Sequence, residues 1–97
     1  MRHSQLRAFH NVALHGGFSR AAKALNMTQP SVSDQVKRLE QGYDVLLFYR
    51  EARQVRLTPA GEALFRLTRE VSEVEERIGA LLDQSRAAVS GTLRILA

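Results

Sequence analysis

Residues 19–40, SRAAKALNMTQPSVSDQVKRLE, leave the chain fewer structural choices than any other stretch. Apolar Ala22, Leu25, Val32, Val36 and Leu39 fall at helical spacings while Asn26 to Gln29 carry no such pattern, so two short helices are expected around a tight break. Ser19 is placed to cap the first, since its hydroxyl can accept from a backbone N–H two or three residues on. Thr28 is placed to cap the second, and Pro30 has the fixed φ and missing N–H that suit a first turn. The outer face of this second helix carries Ser31, Ser33, Asp34, Gln35, Lys37 and Arg38, polar and mostly short near the start. That is the outline of a helix-turn-helix whose second helix enters the major groove of DNA with its N-terminus leading. Two amphipathic helices around a polar turn also occur in all-α domains with no DNA partner, so the rest of the chain has to discriminate.

Charge is the first discriminator. Residues 1–58 hold nine Lys or Arg against four Asp or Glu, a net of +5, whereas residues 59–97 hold five against six, a net of −1. The half with the helix-turn-helix is the basic half, as an electrostatic footprint for phosphate requires. With 97 residues the chain is one small unit that can bury only a modest core, and a partner is expected. The absence of cysteine excludes disulfides and thiolate chemistry. No apolar run approaches the roughly 18 residues of a membrane span. A cytoplasmic protein with no membrane partner is the expectation.

In chain order, Ser4 to Leu14 reads as a first helix with Leu6, Phe9, Val12 and Ala13 on one face, ended by Gly16-Gly17. Phe9, Phe18, Leu25 and Leu39 are expected to close a three-helix core. His3, His10 and His15 invite a metal reading, but spacings of seven and five do not stack on one helical face, and no metal site is expected. No catalytic residue is assigned either, since isolated Ser, His and Asp lack convergent partners and the chain has little room for a cleft. Residues 45–58 read as a two-stranded wing: Val45 to Phe48 is apolar, Gln54 to Thr58 alternates with Val55 and Leu57 inward, and Arg50-Glu51-Ala52-Arg53 forms the tip. Arginines at such a tip suit phosphates or the adjacent minor groove, or else a solvated edge that blocks further pairing. For Arg50, packing or an internal ion pair is an equal alternative to DNA contact.

Ala21-Ala22, Leu25, Gln29-Pro30, Val32-Ser33 and Leu39-Glu40, followed by Leu47-Phe48, Arg50, Val55, Leu57-Thr58 and Ala60-Gly61, closely resemble the amino-terminal DNA-binding domain of LysR-type transcriptional regulators. The resemblance covers nearly the whole chain. It implies a mainly α fold, a winged helix-turn-helix of three helices plus a two-stranded wing followed by a long dimerisation helix. The implied domains are 1–58 for DNA binding, 59–89 for the linker helix, and 90–97 as the start of an effector-binding domain otherwise missing from this sequence. No cofactor is expected in these residues, and a small-molecule effector is expected for the missing domain. Three departures from the family pattern stand out. Tyr43-Asp44 replaces a usual Leu-Gly, so either Asp44 takes the left-handed conformation or Gly42 ends the helix early. Ala52 stands where the wing tip commonly has glycine. Asp34 occupies a position that is often basic or small, where it could accept from a cytosine N4 amine, orient Arg38 four residues on, or disfavour some sequences by repulsion.

On this reading Gln29 is the leading candidate for base readout, by its bidentate amide and its place at the helix start, with Ser33 reaching a second base edge. Pro30 and Val32 offer apolar contact to a thymine methyl, although Val32 fits the core equally well. Thr28, Ser31, Gln35, Lys37 and Arg38 suit phosphate or mixed contacts, joined by Arg50 and Arg53 from the wing. From Pro59 a long helix is expected, with Thr58 as cap and Glu62 placed for a reciprocal contact. Leu64, Leu67, Val71, Val74, Ile78 and Leu81 repeat at steps of three and four, a coiled-coil seam that predicts a homodimer, with packing of Ala60, Ala63 and Phe65 onto the first helix on another face. A two-fold dimer predicts an inverted-repeat operator in double-stranded DNA with half-sites about 34 to 36 Å apart. Tetramer formation and contact with RNA polymerase stay open for a full-length protein. Thr92 to Ala97 alternates like a strand with nothing to pair with, so the chain reads as a piece of a longer regulator. The rival class is sequence-independent DNA architecture, which shares the basic charge and lacks a large specificity ratio.

Overall fold

The computed structural model describes residues 1–50 and 54–96, with residues 87–96 as helix backbone only. Four helices follow one another: α1 (His3–His15), α2 (Phe18–Leu25), α3 (Gln29–Tyr43) and α4 (Pro59–Leu96).

Each helix boundary has a local cause. Gly16 ends α1 in the left-handed region at φ 71°, returning its N–H to the Val12 carbonyl at 2.9 Å. α2 begins one residue before the expected Ser19 cap. Gly17 holds the N-cap position without a side-chain bond, and Ser19 lies inside the helix. Asn26 closes α2 at φ 54°, a conformation asparagine tolerates better than most residues. Thr28 caps α3 as its sequence suggests, accepting from the Ser31 N–H at 3.2 Å and donating to Ser31 Oγ at 2.8 Å. Asp44, at φ 51°, is the left-handed residue that ends α3, and Gly42 stays within the helix.

The first three helices pack around Phe9, Val12, Val32 and Val36, which are fully buried. Phe48, only 2% exposed, completes this core from outside the helices, its ring 5.3 Å from that of Phe9 and 5.8 Å from that of Phe18. Phe18 and Leu25, expected at the centre, lie half-buried at its margin. The wing is smaller than the expected pair of strands. Among the described residues it is a single antiparallel bridge, Phe48 with Leu57, flanked by Tyr49 N–H to Arg56 O at 2.9 Å and Thr58 N–H to Leu47 O at 3.0 Å. Val55 and Leu57 turn inward as their alternation suggests.

Thr58 joins the wing to α4. Its hydroxyl accepts from the Gly61 N–H at 3.0 Å and donates to the Leu46 carbonyl at 2.6 Å. Glu62 contributes its backbone N–H to the Thr58 carbonyl at 2.8 Å, and among the described residues its side chain makes no reciprocal cap bond. The first turns of α4 rest on α1 and the core through Leu64 and Phe65, while Ala60 and Ala63 remain exposed. Leu64 is thus drawn partly into the core, and the exposed stripe starts at Leu67. α4 continues to Leu96, past the expected end at residue 89, so the strand expected at 92–97 is replaced by helix through Leu96. A lone strand has no neighbour for its backbone groups, whereas a helix satisfies its own. None of the described helices is long and apolar enough to cross a membrane.

At the α1–α4 contact His10 Nδ1 lies 2.8 Å from Thr68 Oγ1, and its ring is 5.4 Å from that of Phe65. Burial, and then the nearby Arg69 and His15 charges, push its pKa below the ordinary 6.5 against the upward pull of Glu75. The folded chain therefore disfavours the imidazolium. Stability is full above the unfolded value and is lost as pH falls below about 6.5 and the unfolded chain binds the extra proton. The melting temperature is expected to fall between about pH 7.5 and 5.5, and His10→Gln to flatten that fall; equal slopes in the two proteins would remove His10 as its cause.

Candidate nucleic-acid interface

The face that α3 turns away from the core is set by its buried side. Val32, Val36 and Leu39 pack inward, and Glu40 follows Val32 and Val36 on the same stripe at four-residue steps. Glu40 is 5% exposed, and its carboxylate organises the start of the wing. Oε2 accepts from the Leu47 N–H at 2.7 Å and from the Phe48 N–H at 3.3 Å, and Oε1 takes the Arg50 guanidinium. One acid thus fixes the wing's first segment against the C-terminal half of α3. Nothing in the composition pointed to it. The available signal was its register, an acid in line with two buried valines.

The expected contact residues separate on this scaffold. Thr28, Gln29, Pro30 and Ser31 are exposed at the start of α3, and Lys37 and Arg38 are exposed further along it. Ser33 is half-buried beside them. Gln35 is also half-buried, and its Oε1 accepts from Ser4 Oγ of α1 at 3.5 Å. Val32 is fully buried, which removes it from any thymine contact. Arg50 is engaged by Glu40, the internal ion pair that its sequence position left open. Arg53 lies outside the described residues, as does Ala52. Arg56 stacks over the Tyr49 ring with its guanidinium carbon 5.3 Å from the centroid, a contact that residue spacing did not foretell. Of the three readings open for Asp34, the geometry realises the pairing: Arg38 Nε donates to Asp34 Oδ2 at 2.8 Å. The three histidines have separate surroundings, His3 beside Glu75 at 3.8 Å, His10 on Thr68, and His15 with its carbonyl toward Arg20.

The second candidate surface is the free face of α4. Leu67, Val71, Val74, Ile78 and Leu81 are between 42% and 61% exposed, a continuous apolar stripe beyond the point where α4 leaves the core. Glu70 and Glu75 flank it, together with His3 from α1.

Residues 3–62 match the family model described as bacterial regulatory helix-turn-helix protein, lysR family. The chain is 38% identical over 91 residues to the RuBisCO operon transcriptional regulator of Allochromatium vinosum, covering 94% of this chain and 30% of that protein, so it spans less than a third of that regulator's length. Among solved structures it resembles a CbnR_DBD–DNA complex with a TM-score of 0.72 and 38% identity, covering 92% of this chain and 99% of that one. It also resembles a BenM_DBD/catB site 1 DNA complex, with a TM-score of 0.79 and 26% identity over 87% of this chain and 94% of that one.

Proposed function

The chain belongs to the lysR family of bacterial regulatory helix-turn-helix proteins, and from that membership we propose that it binds double-stranded DNA sequence-specifically, as a homodimer on an inverted repeat. The observation that carries this reading is the start of α3. There the Thr28 cap and Pro30 fix a helix end that presents Gln29, Pro30 and Ser31 to solvent, next to exposed Lys37 and Arg38. A partial positive charge at that end favours approach to phosphate, while the short side chains allow a helix to enter the major groove.

In this reading Gln29 carries base readout, as a bidentate partner for adenine N6 and N7, with Ser33 beside it. Thr28, Ser31 and Lys37 set register against the backbone. The apolar stripe on α4 supports pairing with a second copy, since a helix with one exposed apolar face gains by burying it against its like. Two recognition helices related by a two-fold axis call for an inverted repeat. Transcriptional regulation from the cytoplasm is the process such binding serves.

Replacing Gln29 is the direct test. Gln29→Ala is expected to lower affinity for a selected operator by about 1 to 3 kcal/mol and to leave binding to random duplex nearly unchanged. Equal losses on both DNAs in an anisotropy titration would assign Gln29 to the backbone and leave base readout without its main residue.

A further inference from the structure

Asp34 and Arg38 form an acid–base pair on the exposed face of α3, one turn apart. Arg38 Nε donates to Asp34 Oδ2 at 2.8 Å, and the two side chains are 65% and 55% exposed for Arg38 and Asp34 respectively. An exposed pair four residues apart on a helix adds little to folding. Its position makes it matter for binding. Asp34 lies one turn beyond Pro30 and about 7.5 Å along the helix axis from Gln29, in the middle of the face that leads into the groove.

A lone carboxylate there would weaken attachment to every DNA sequence, because phosphate repels it. Paired with Arg38 it has a second effect. The bond occupies Nε and fixes the direction of the planar guanidinium, which leaves Nη1 and Nη2 as two adjacent donors. Among the described residues neither Nη atom nor Asp34 Oδ1 has a hydrogen-bond partner. Guanine presents O6 and N7 side by side in the major groove, an acceptor pair that matches two arginine donors. Asp34 Oδ1 remains an acceptor, suited to a cytosine N4 amine in the same region and unsuited to phosphate.

We infer that Asp34 is a specificity-determining residue acting through Arg38: it withholds the guanidinium from the phosphates and presents it to a G·C base pair in each half-site. The inference rests on the DNA-reading function proposed above and adds the base that this part of α3 selects. Arg38 alone would be a backbone contact; with Asp34 beside it, part of its nonspecific attraction is exchanged for discrimination.

The experiment compares the 97-residue chain with its Asp34→Ala, Asp34→Asn, Arg38→Ala and doubly substituted forms, selecting from a randomised duplex pool at two salt concentrations. The salt dependence of binding is then measured on the wild-type winner. Wild type is expected to enrich a G·C pair in each half-site. Asp34→Ala should reduce that preference at least about fivefold. It should also steepen log K against log salt by about one unit per bound chain, as the freed Arg38 gains a phosphate. Asp34→Asn, which keeps a neutral acceptor, should retain part of the preference. In the Arg38→Ala background, Asp34→Ala should leave the base preference unchanged and steepen the slope less than it does with Arg38 present. Unchanged melting temperatures, expected because both side chains are exposed, separate these effects from folding. A G·C preference that survives Asp34→Ala overturns the inference. So does a slope that steepens equally with and without Arg38, which would leave Asp34 acting by repulsion alone. A wild-type chain that enriches no sequence overturns the DNA-reading function itself, so the two failures are distinct.

Discussion

Glu40→Ala is expected to destabilise the fold by about 3 to 5 kcal/mol, enough to unfold a large share of a domain this small. The substitution removes the acceptor of two backbone N–H groups, those of Leu47 and Phe48, and the partner of Arg50. A buried donor left unmade costs about 1 to 3 kcal/mol, and bonds to a charged acceptor are at the upper end. Arg50 adds less, because its side chain is 43% exposed and can rehydrate. Phe48 is also the only core aromatic among the described residues supplied from outside the helices, so loosening its backbone disturbs the packing of Phe9 and Phe18. Glu40→Gln keeps one oxygen acceptor and loses the charge, and should cost about half as much. Urea unfolding followed by circular dichroism measures both, and a loss below about 1 kcal/mol for Glu40→Ala would show that the wing's first segment is held by other means.

Gly61→Ala is expected to destabilise by about 3 kcal/mol or more, although alanine is the better helix former by nearly 1 kcal/mol. A Cβ at Gly61 would be driven into the Leu47 carbonyl oxygen and would meet Leu57 Cδ2 at 2.9 Å. That carbonyl cannot easily move, since it accepts from the Thr58 N–H at 3.0 Å. The close approach is where α4 is seated against the wing, so relief of the clash requires the long helix to lift from the domain. Gly79 provides the internal control. It lies in α4 where an added methyl group would meet nothing within 4 Å, and Gly79→Ala should be neutral or stabilising by up to about 1 kcal/mol. Similar melting temperatures for the two variants would contradict the steric account.

Local chemistry made much of this architecture readable from the residues. Thr28 and Pro30 specify the start of α3 because a cap and a fixed φ act within one turn. Asp34 and Arg38 meet because four residues make one turn. The stripe from Leu67 to Leu81 follows from helical period alone. Elements that depend on distant partners were harder to read. Glu40 owes its burial to wing N–H groups seven and eight residues away, and Phe48 meets Phe9 and Phe18 from far along the chain. Leu64 has the same spacing as its neighbours on the stripe and differs only in lying over the core. Thr92 to Leu96 shows the opposite case, an alternating pattern that suits a strand but forms helix. At the candidate interface, Gln35 and Val32 lie on the helix proposed to face DNA, and rotation about its axis decides that one meets α1 and the other the core.

Selection of the chain on randomised duplexes, with the bound fraction sequenced, tests the central claim most directly. The account predicts enrichment of an inverted repeat whose half-sites are centred about one helical turn, roughly 34 to 36 Å, apart, with binding that weakens as salt rises. Retention of DNA without enrichment of any sequence would contradict it and leave charge, not readout, as the basis of binding.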